Sequence, residues 1–311
     1  MSLLMKDFKF FIKKCLQKTS PVLSTRYLYF KLLRKSLNLK DPKGFNEKIQ
    51  WLKFNYKHPL IVQGADKYRM REYVSMLGLE HLLPKIHGVW EESSQIDWET
   101  LPEKFAMKCN HGCCYNIICT DKNQLDKDQA GLQLNKWLVT DYSYNLCELH
   151  YSKIKPLIIC EEFLESKNQI LPDDYKFYCF NGQPKVIIVC AEREPNKLDI
   201  RREFYDLDWN VLDIGDKPNE QKTKKPDSLN EMIEYATILA ASFPFVRVDF
   251  YEVNSKPVLG ELTFTPGAGL ATFHSEEGDR YLGELLTLPP KYEGDYDSHS
   301  EPFPKSIKPL T

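Results

Sequence analysis

Arg247, Asp249 and Tyr251 recur at every second position of the run FVRVDFYEV, and Glu261 and Thr263 do the same in PVLGELTF. Alternate residues of a strand share a face. If the two runs pair across the turn Asn254-Ser255-Lys256, a guanidinium and two carboxylates converge at one end of a sheet. Mg2+ takes oxygen ligands and is held by one or two carboxylates plus substrate phosphates, while arginine offers a fork to phosphate oxygens. The same spacing also fits a surface hairpin carrying an ion pair. Further upstream, Lys108 lies near the end of the apolar run FAMKC and is followed by Asn110-His111-Gly112 and a second apolar run, Tyr115 to Thr120. A lysine buried in such a strand needs an anionic partner, and a strand–glycine turn–strand unit can lay a loop over phosphates. It is not the Walker pattern, which needs a helix and Lys-Ser/Thr after the glycines.

These groups need elements to hold them. Apolar positions at helical spacing predict helices over 45–56, 60–77, 123–150 and 229–242, the last with Ser228 and Glu231 as a capping box. A shorter helix is predicted from Tyr281 to Leu286. Asp66-Lys67 sits early in the second helix, where a lysine could meet a phosphate. Strands are predicted at Ile86 to Trp90, at Phe105 to Cys109, at 156–164 running into Glu161 and Glu162, and at a segment carrying Asp174, Lys176 and Tyr178 on one face. Asn181-Gly182 turns that segment into a hairpin.

With 311 residues, 42% hydrophobic and 13% aromatic, the chain suits a folded globular protein with two or three subdomains around a cleft. A net charge of -2 gives no argument for nucleic acid. Residues 1–40 hold ten Lys or Arg against Asp7 alone, which fits either an interfacial helix beside anionic lipid or a solvated helix face. No run reaches the ~18 apolar residues of a membrane span. An odd count of nine cysteines, mostly in apolar runs, favours reduced thiols and a cytoplasmic protein. The cluster Cys109, His111, Cys113, Cys114 and Cys119 lacks the paired spacing of a zinc site. Asp206-x-Asp208 spells a glycosyltransferase metal motif but falls in an expected hairpin turn.

The order ADKYRMREYV, EKFAMKCNHG, LIICEEFL, DYKFYCFNG, VRVDFY and LGELTFTPGAG resembles the ATP-grasp superfamily over about residues 60–290. Together with FNEKIQWLK at 45–53 it looks most like the TupA-like (teichuronopeptide biosynthesis) branch. The resemblance implies an α+β ATP-grasp fold, two α+β subdomains clamping ATP. These would be a basic helical region over 1–59, a small lobe over 60–165, a large lobe over 166–290 and a tail over 291–311. It implies that Lys67 and Lys108 contact ATP phosphates under a mobile loop, His111 to Tyr115, that includes Gly112. Glu162, Phe163 and Leu164 would read the adenine edge, with Glu161 near its amino group, and Asp174 would reach the ribose. Lys176 would point toward phosphate, Arg247 would face the transferred phosphoryl, and Asp249 and Glu261 would hold Mg2+. Thr263 stands where the family carries a second metal-binding Asn, and Cys113-Cys114 replace the small residues common in the loop. The implied reaction is carboxylate–amine ligation, with a uronic acid of a surface polysaccharide joined to an amino acid or amine. Arg193, Arg201, Arg202 and His274 are candidates for carboxylate recognition. A glycosyltransferase and a non-catalytic scaffold remain the rival readings.

Overall fold

The computed structural model describes residues 17–165, 171–191, 201–217 and 223–296. Two antiparallel sheets dominate them. The small sheet has β1 (Ile86–Trp90), β2 (Phe105–Cys109), β3 (Asn116–Cys119) and β4 (Ile158–Glu162) in the order β1-β4-β2-β3. The large sheet has β5 (Asp174–Phe180), β6 (Gln183–Ala191), β7 (Arg201–Tyr205), β8 (Phe245–Val253) and β9 (Lys256–Thr263) in the order β7-β6-β5-β8-β9. Around them lie helices α1 (Pro21–Leu33), α2 (Phe45–Asn55), α3 (Pro59–Ala65), α4 (Met70–Met76), α5 (Lys127–Leu138), α6 (Ser143–Leu146), α7 (Leu229–Ala240) and α8 (Glu276–Leu285).

Strand alternation divides each sheet into a packed face and a face turned to the cleft between them. In the small sheet, Phe105, Met107, Cys109, Ile158 and Cys160 pack with Leu134 of α5, leaving Ala106, Lys108, Ile118 and Glu161 to line the cleft. In the large sheet, Phe177, Val189, Val248 and Phe250 pack on Leu229, Met232, Ala236 and Leu239 of α7. The opposite face is split along its length. Tyr178, Phe180, Val186 and Phe245 meet Phe45, Ile49 and Leu52 of α2 and Leu282 of α8, whereas Asp174, Lys176, Arg247 and Asp249 stay open to the cleft. Burying each large apolar side chain contributes roughly 1.5–3 kcal/mol, and the two apolar clusters leave the charged strip as the part of the sheet that packing does not hold.

Four predicted features differ; the last helix begins at Glu276, five residues before the expected Tyr281. The helix expected over 60–77 is broken into α3 and α4. Asp66 is the reason: its Oδ1 accepts from Tyr68 N at 2.9 Å, Arg69 N at 3.2 Å and Asn110 Nδ2 at 2.8 Å, so the side chain replaces the helical ladder. The helix expected over 123–150 divides into α5, α6 and flanking 3-10 turns, with Asp141 Oδ1 accepting from Ser143 N and Oγ at the break. The Ser228–Glu231 box does not form, because Ser228 N and Oγ both donate to Glu252 Oε1 of β8, at 2.8 and 2.7 Å. The Asn181-Gly182 turn is as expected, with both residues at positive φ (49° and 81°). The first sixteen residues of the basic stretch lie outside the described residues. No described helix is long and apolar enough to cross a membrane.

Candidate active site

The β8–β9 hairpin sets Asp249 directly opposite Glu261 and Arg247 opposite Thr263. A bulge between Asp249 and Phe250 makes this possible. Leu259 packs with the α7-side core, yet Glu261, two residues on, faces the cleft. The extra residue at Gly260 supplies the change of face. A Cβ there would sit 2.9 Å from the Tyr251 ring and 3.3 Å from Asp249 O, so a bare backbone is what lets the bulge close.

The charges form one network. Arg247 donates through Nε to Asp249 Oδ1 and through Nη2 to Oδ2, both at 2.6 Å. Nη2 also reaches Glu261 Oε1 and Thr263 Oγ1, each at 3.0 Å. Lys176 Nζ donates to Asp174 Oδ2 at 2.5 Å and Asp249 Oδ2 at 2.6 Å. Lys67 Nζ stands 3.4 Å from Glu261 Oε2 and donates to Gly112 O at 2.7 Å. Burial tends to raise the Glu261 carboxyl, but Lys67, Arg247, Lys176 and Lys108 outweigh it and hold it well below the usual range. Asp249 goes the other way: burial raises it, and Arg247 and Lys176 only partly offset that.

On the small sheet, Lys108 Nζ donates to Glu161 Oε2 at 2.6 Å. Burial would lower the amine, and Glu161 more than reverses that. Beside this pair is a slot of about 610 Å³ lined by Pro84, Ala106, Ile118, Phe163, Leu164, Tyr251 and Leu259. It adjoins a cleft of about 1140 Å³ that holds Lys67, Lys176, Arg247, Asp249 and Glu261. Lys108, Asn116, Tyr251 and Gly260 line both. A partly apolar slot opening into a charged cleft suits a molecule with an aromatic end and a polyanionic end.

Several expected positions are placed otherwise. The His111 ring is buried, its Nε2 is 3.1 Å from Trp137 O and it packs edge-on to Tyr115, so it anchors the loop instead of lying over the cleft. Glu162 N donates to Lys85 O at 2.9 Å and Glu162 Oε1 accepts from Lys85 N, so its own N–H is not available to a base. Glu161 is the partner of Lys108, with Arg71 Nη1 at 3.8 Å from its other oxygen. Arg201 pairs with the buried Glu203 on the packed side of β7, while strand alternation turns Arg202 into the cleft, 5.2 Å from the Phe273 ring. His274 is buried among Phe45, Phe204 and Phe273, and neither ring nitrogen has a partner among the described residues. Burial and Arg202 lower its pKa to about 3, so the ring stays neutral. Arg193 lies outside the described residues. Asp206 accepts from Asp208 N and Asn210 N and closes the expected hairpin turn instead of facing the cleft.

Other contributors went unread in the sequence. Asn110 binds Asp66 Oδ1, Lys155 O and Leu157 N, and its carbonyl accepts from Lys67 N at 3.2 Å. At the cleft floor, Gly267, Ala268 and Gly269 are all left-handed, φ 56°, 56° and 67°. Gln50 Nε2 donates to Ala268 O and Gly269 O at 2.8 Å, and Lys53 Nζ to Ala268 O at 3.0 Å. Burial lowers Lys53 to about 8. The signal for both was polar residues three apart, beside Ile49 and Leu52, on the buried face of α2.

A family model for the TupA-like ATP-grasp proteins matches residues 47–287. The chain belongs to the TupA-like ATP-grasp family. No curated protein matches it. Among solved structures it is similar to an L-amino acid ligase from Bacillus licheniformis, at 10% identity over 81% of this chain and 57% of that one, TM-score 0.49. It is also similar to D-alanine–D-alanine ligase from Helicobacter pylori, at 16% identity over 78% and 69%, TM-score 0.46. A third is the Bacillus anthracis D-alanine–D-alanine ligase complexed with ATP, at 14% over 65% and 55%, TM-score 0.39. The chain thus spans little more than half the length of the first and third of these ligases.

The ATP-grasp site can be tested against the groups the family implies. Among the described residues no three His, Cys, Asp or Glu side chains gather as a self-contained metal centre. The donors that do converge, Asp249, Glu261 and Thr263, are all oxygens, which suits a hard cation that completes its shell with phosphate and water. Tyr178 lines the same cleft with a buried hydroxyl that has no partner among the described residues. The donor set fits Mg2+ with a nucleotide.

Proposed function

We propose that this protein is an ATP- and Mg2+-dependent carboxylate–amine ligase. The observation that carries the reading is the Lys176–Asp249–Arg247–Glu261 network in a cleft that continues into the slot beside Lys108 and Glu161. The slot takes the adenine, with Phe163 and Leu164 at its edge. Asp174 serves the ribose and the cleft takes the phosphates. Lys67, Lys108 and Lys176 neutralise phosphate oxygens as fixed point charges, which places the γ-phosphoryl in line with an incoming carboxylate.

Asp249, Glu261 and Thr263 would hold Mg2+, whose chemistry is to draw charge from the phosphoryl and the departing ADP oxygen. Arg247 is bound to both acids, so neutralisation of those acids frees its fork for the transferred group. The substrate carboxylate oxygen attacks the γ-phosphorus and ADP leaves, giving an acylphosphate. An amine nitrogen then attacks the acyl carbon, phosphate departs, and an amide remains. No side chain acts as a nucleophile; positioning and charge do the catalysis. The loop 111–115 over the cleft keeps water from the acylphosphate.

For substrates we infer a uronic acid of a surface polysaccharide (capsule, O-antigen or wall), joined to an amino acid or amine. Family membership supports this, as does Arg202 in the cleft. The proposed lobes are 60–165 and 166–290 around that cleft, with the basic region at 1–59 as a peripheral contact to the inner face of the plasma membrane. ADP release screened over uronic acids against amino acids is the test. Release that needs both partners is the expected result. Release unaffected by any acid and amine, or binding of nucleotide sugars in place of ATP, would overturn the reading.

A further inference from the structure

Cys113 and Cys114 are adjacent in the chain, both are exposed and line the cleft, and their Sγ atoms are 3.5 Å apart. The other described cysteines, Cys109, Cys119, Cys147, Cys160, Cys179 and Cys190, are buried. Thiols react where they are accessible and near cations. Here the preceding carbonyl, Gly112 O, accepts from Lys67 Nζ at 2.7 Å. Cys114 is also held at φ 61°, a left-handed backbone uncommon for a residue with a side chain.

We propose that Cys113 and Cys114 are a redox-active dithiol, closed by a peroxide to a vicinal disulfide that distorts the phosphate loop and weakens ATP binding. This rests on the nucleotide reading of the cleft. In the first step the Cys114 thiolate attacks one peroxide oxygen. The O–O bond breaks, hydroxide leaves and takes a proton as water, and Cys114 becomes a sulfenic acid. The Cys113 sulfur then attacks the Cys114 sulfur, gives up its thiol proton, and a second water departs. The two thiols lose two electrons, which the peroxide accepts. A hydrogen bond from Cys113 lowers the Cys114 thiol and favours the attacking form.

Closure must bring the sulfurs to about 2.05 Å, and the ring that results contains the Cys113–Cys114 peptide. Adjacent residues place their Cα atoms closer than an unstrained disulfide prefers, so the bond is readily reduced. The backbone it bends begins at Gly112, the residue that holds Lys67. Oxidation is therefore transmitted to a phosphate ligand, and a dithiol reductant reverses it.

The test uses the full chain treated with stoichiometric hydrogen peroxide, read by intact mass, peptide mapping and ATP-Mg2+ titration before and after. The expected result is loss of two hydrogens, mapped to the Cys113–Cys114 peptide and restored by dithiothreitol, with ATP affinity about tenfold weaker in the oxidised protein. In C113S and in C114S the bridge does not form, and each variant's ATP affinity is the same before and after treatment. Intact thiols, or oxygen added to one cysteine without a bridge, would overturn the proposal. A bridged protein that binds ATP as tightly as the reduced one would overturn the gating. If the bridge forms but even reduced protein binds no ATP, the ligase reading fails while the dithiol chemistry stands.

Discussion

The two sheets face one cleft with unlike surfaces. The small sheet offers Ala106, Ile118 and the ion pair Lys108–Glu161. The large sheet offers Asp174, Lys176, Arg247, Asp249 and Glu261, interlinked at 2.5–3.0 Å. Taking charges out of water costs several kcal/mol per ion, and pairing repays it only when geometry is good. The small sheet is therefore a grip that packing can hold. The large sheet carries an array whose cost the proposed chemistry would justify, held in place by the apolar clusters on α7 and α2.

The largest loss is expected at the acids. Asp249→Asn or Glu261→Gln should lower amine-dependent ADP release about a thousandfold or more, with circular dichroism showing a retained fold. Near-normal turnover in both would remove them from the metal site. Next comes the bulge: Gly260→Ala puts a Cβ 2.9 Å from Tyr251. It should cost about 1–3 kcal/mol in denaturant melts and reduce turnover by shifting Glu261. If stability falls but turnover holds, the bulge is structural only.

On the small sheet, Lys108→Met should raise the ATP KM about tenfold with a smaller change in kcat. It also takes from the buried Glu161 its nearer cation, leaving Arg71 at 3.8 Å, so adding Glu161→Gln should recover stability but not ATP affinity. Recovery of both would make the pair a fold element alone.

The last effect concerns stability and leaves turnover untouched. The folded-state pKa of His274 is depressed to about 3 from 6.5. The unfolded chain therefore takes up a proton first as pH falls, so stability is complete above about 6.5 and declines from there toward 3. His274→Phe, among the aromatic rings of Phe45, Phe204 and Phe273, should flatten part of that acid decline in denaturant midpoints measured from pH 7 to 4. An unchanged slope would mean the ring is protonated in the fold.

The strands and their acids were legible because alternation is local: Arg247, Asp249, Lys176 and Asp174 fall where period two puts them. Glu261 was placed on the right face without the reason, since a bulge depends on the partner strand. The break at Asp66 was hidden because the residue that causes it to pay off, Asn110, lies 44 positions away. His274 and Arg201 looked like ligands because a sequence shows charge and not burial. Lys53 had the opposite problem: its charge alone does not mark it, yet Ala268 and Leu146 carbonyls hold it inside.

The turn that carries Lys67 is tied to the loop twice, by its own N–H to Asn110 O and by its ammonium to Gly112 O. The two turns therefore cannot separate without breaking both bonds. The exchange rate of that one backbone amide with heavy water then reports their separation, readable in a protein to which no substrate has been added.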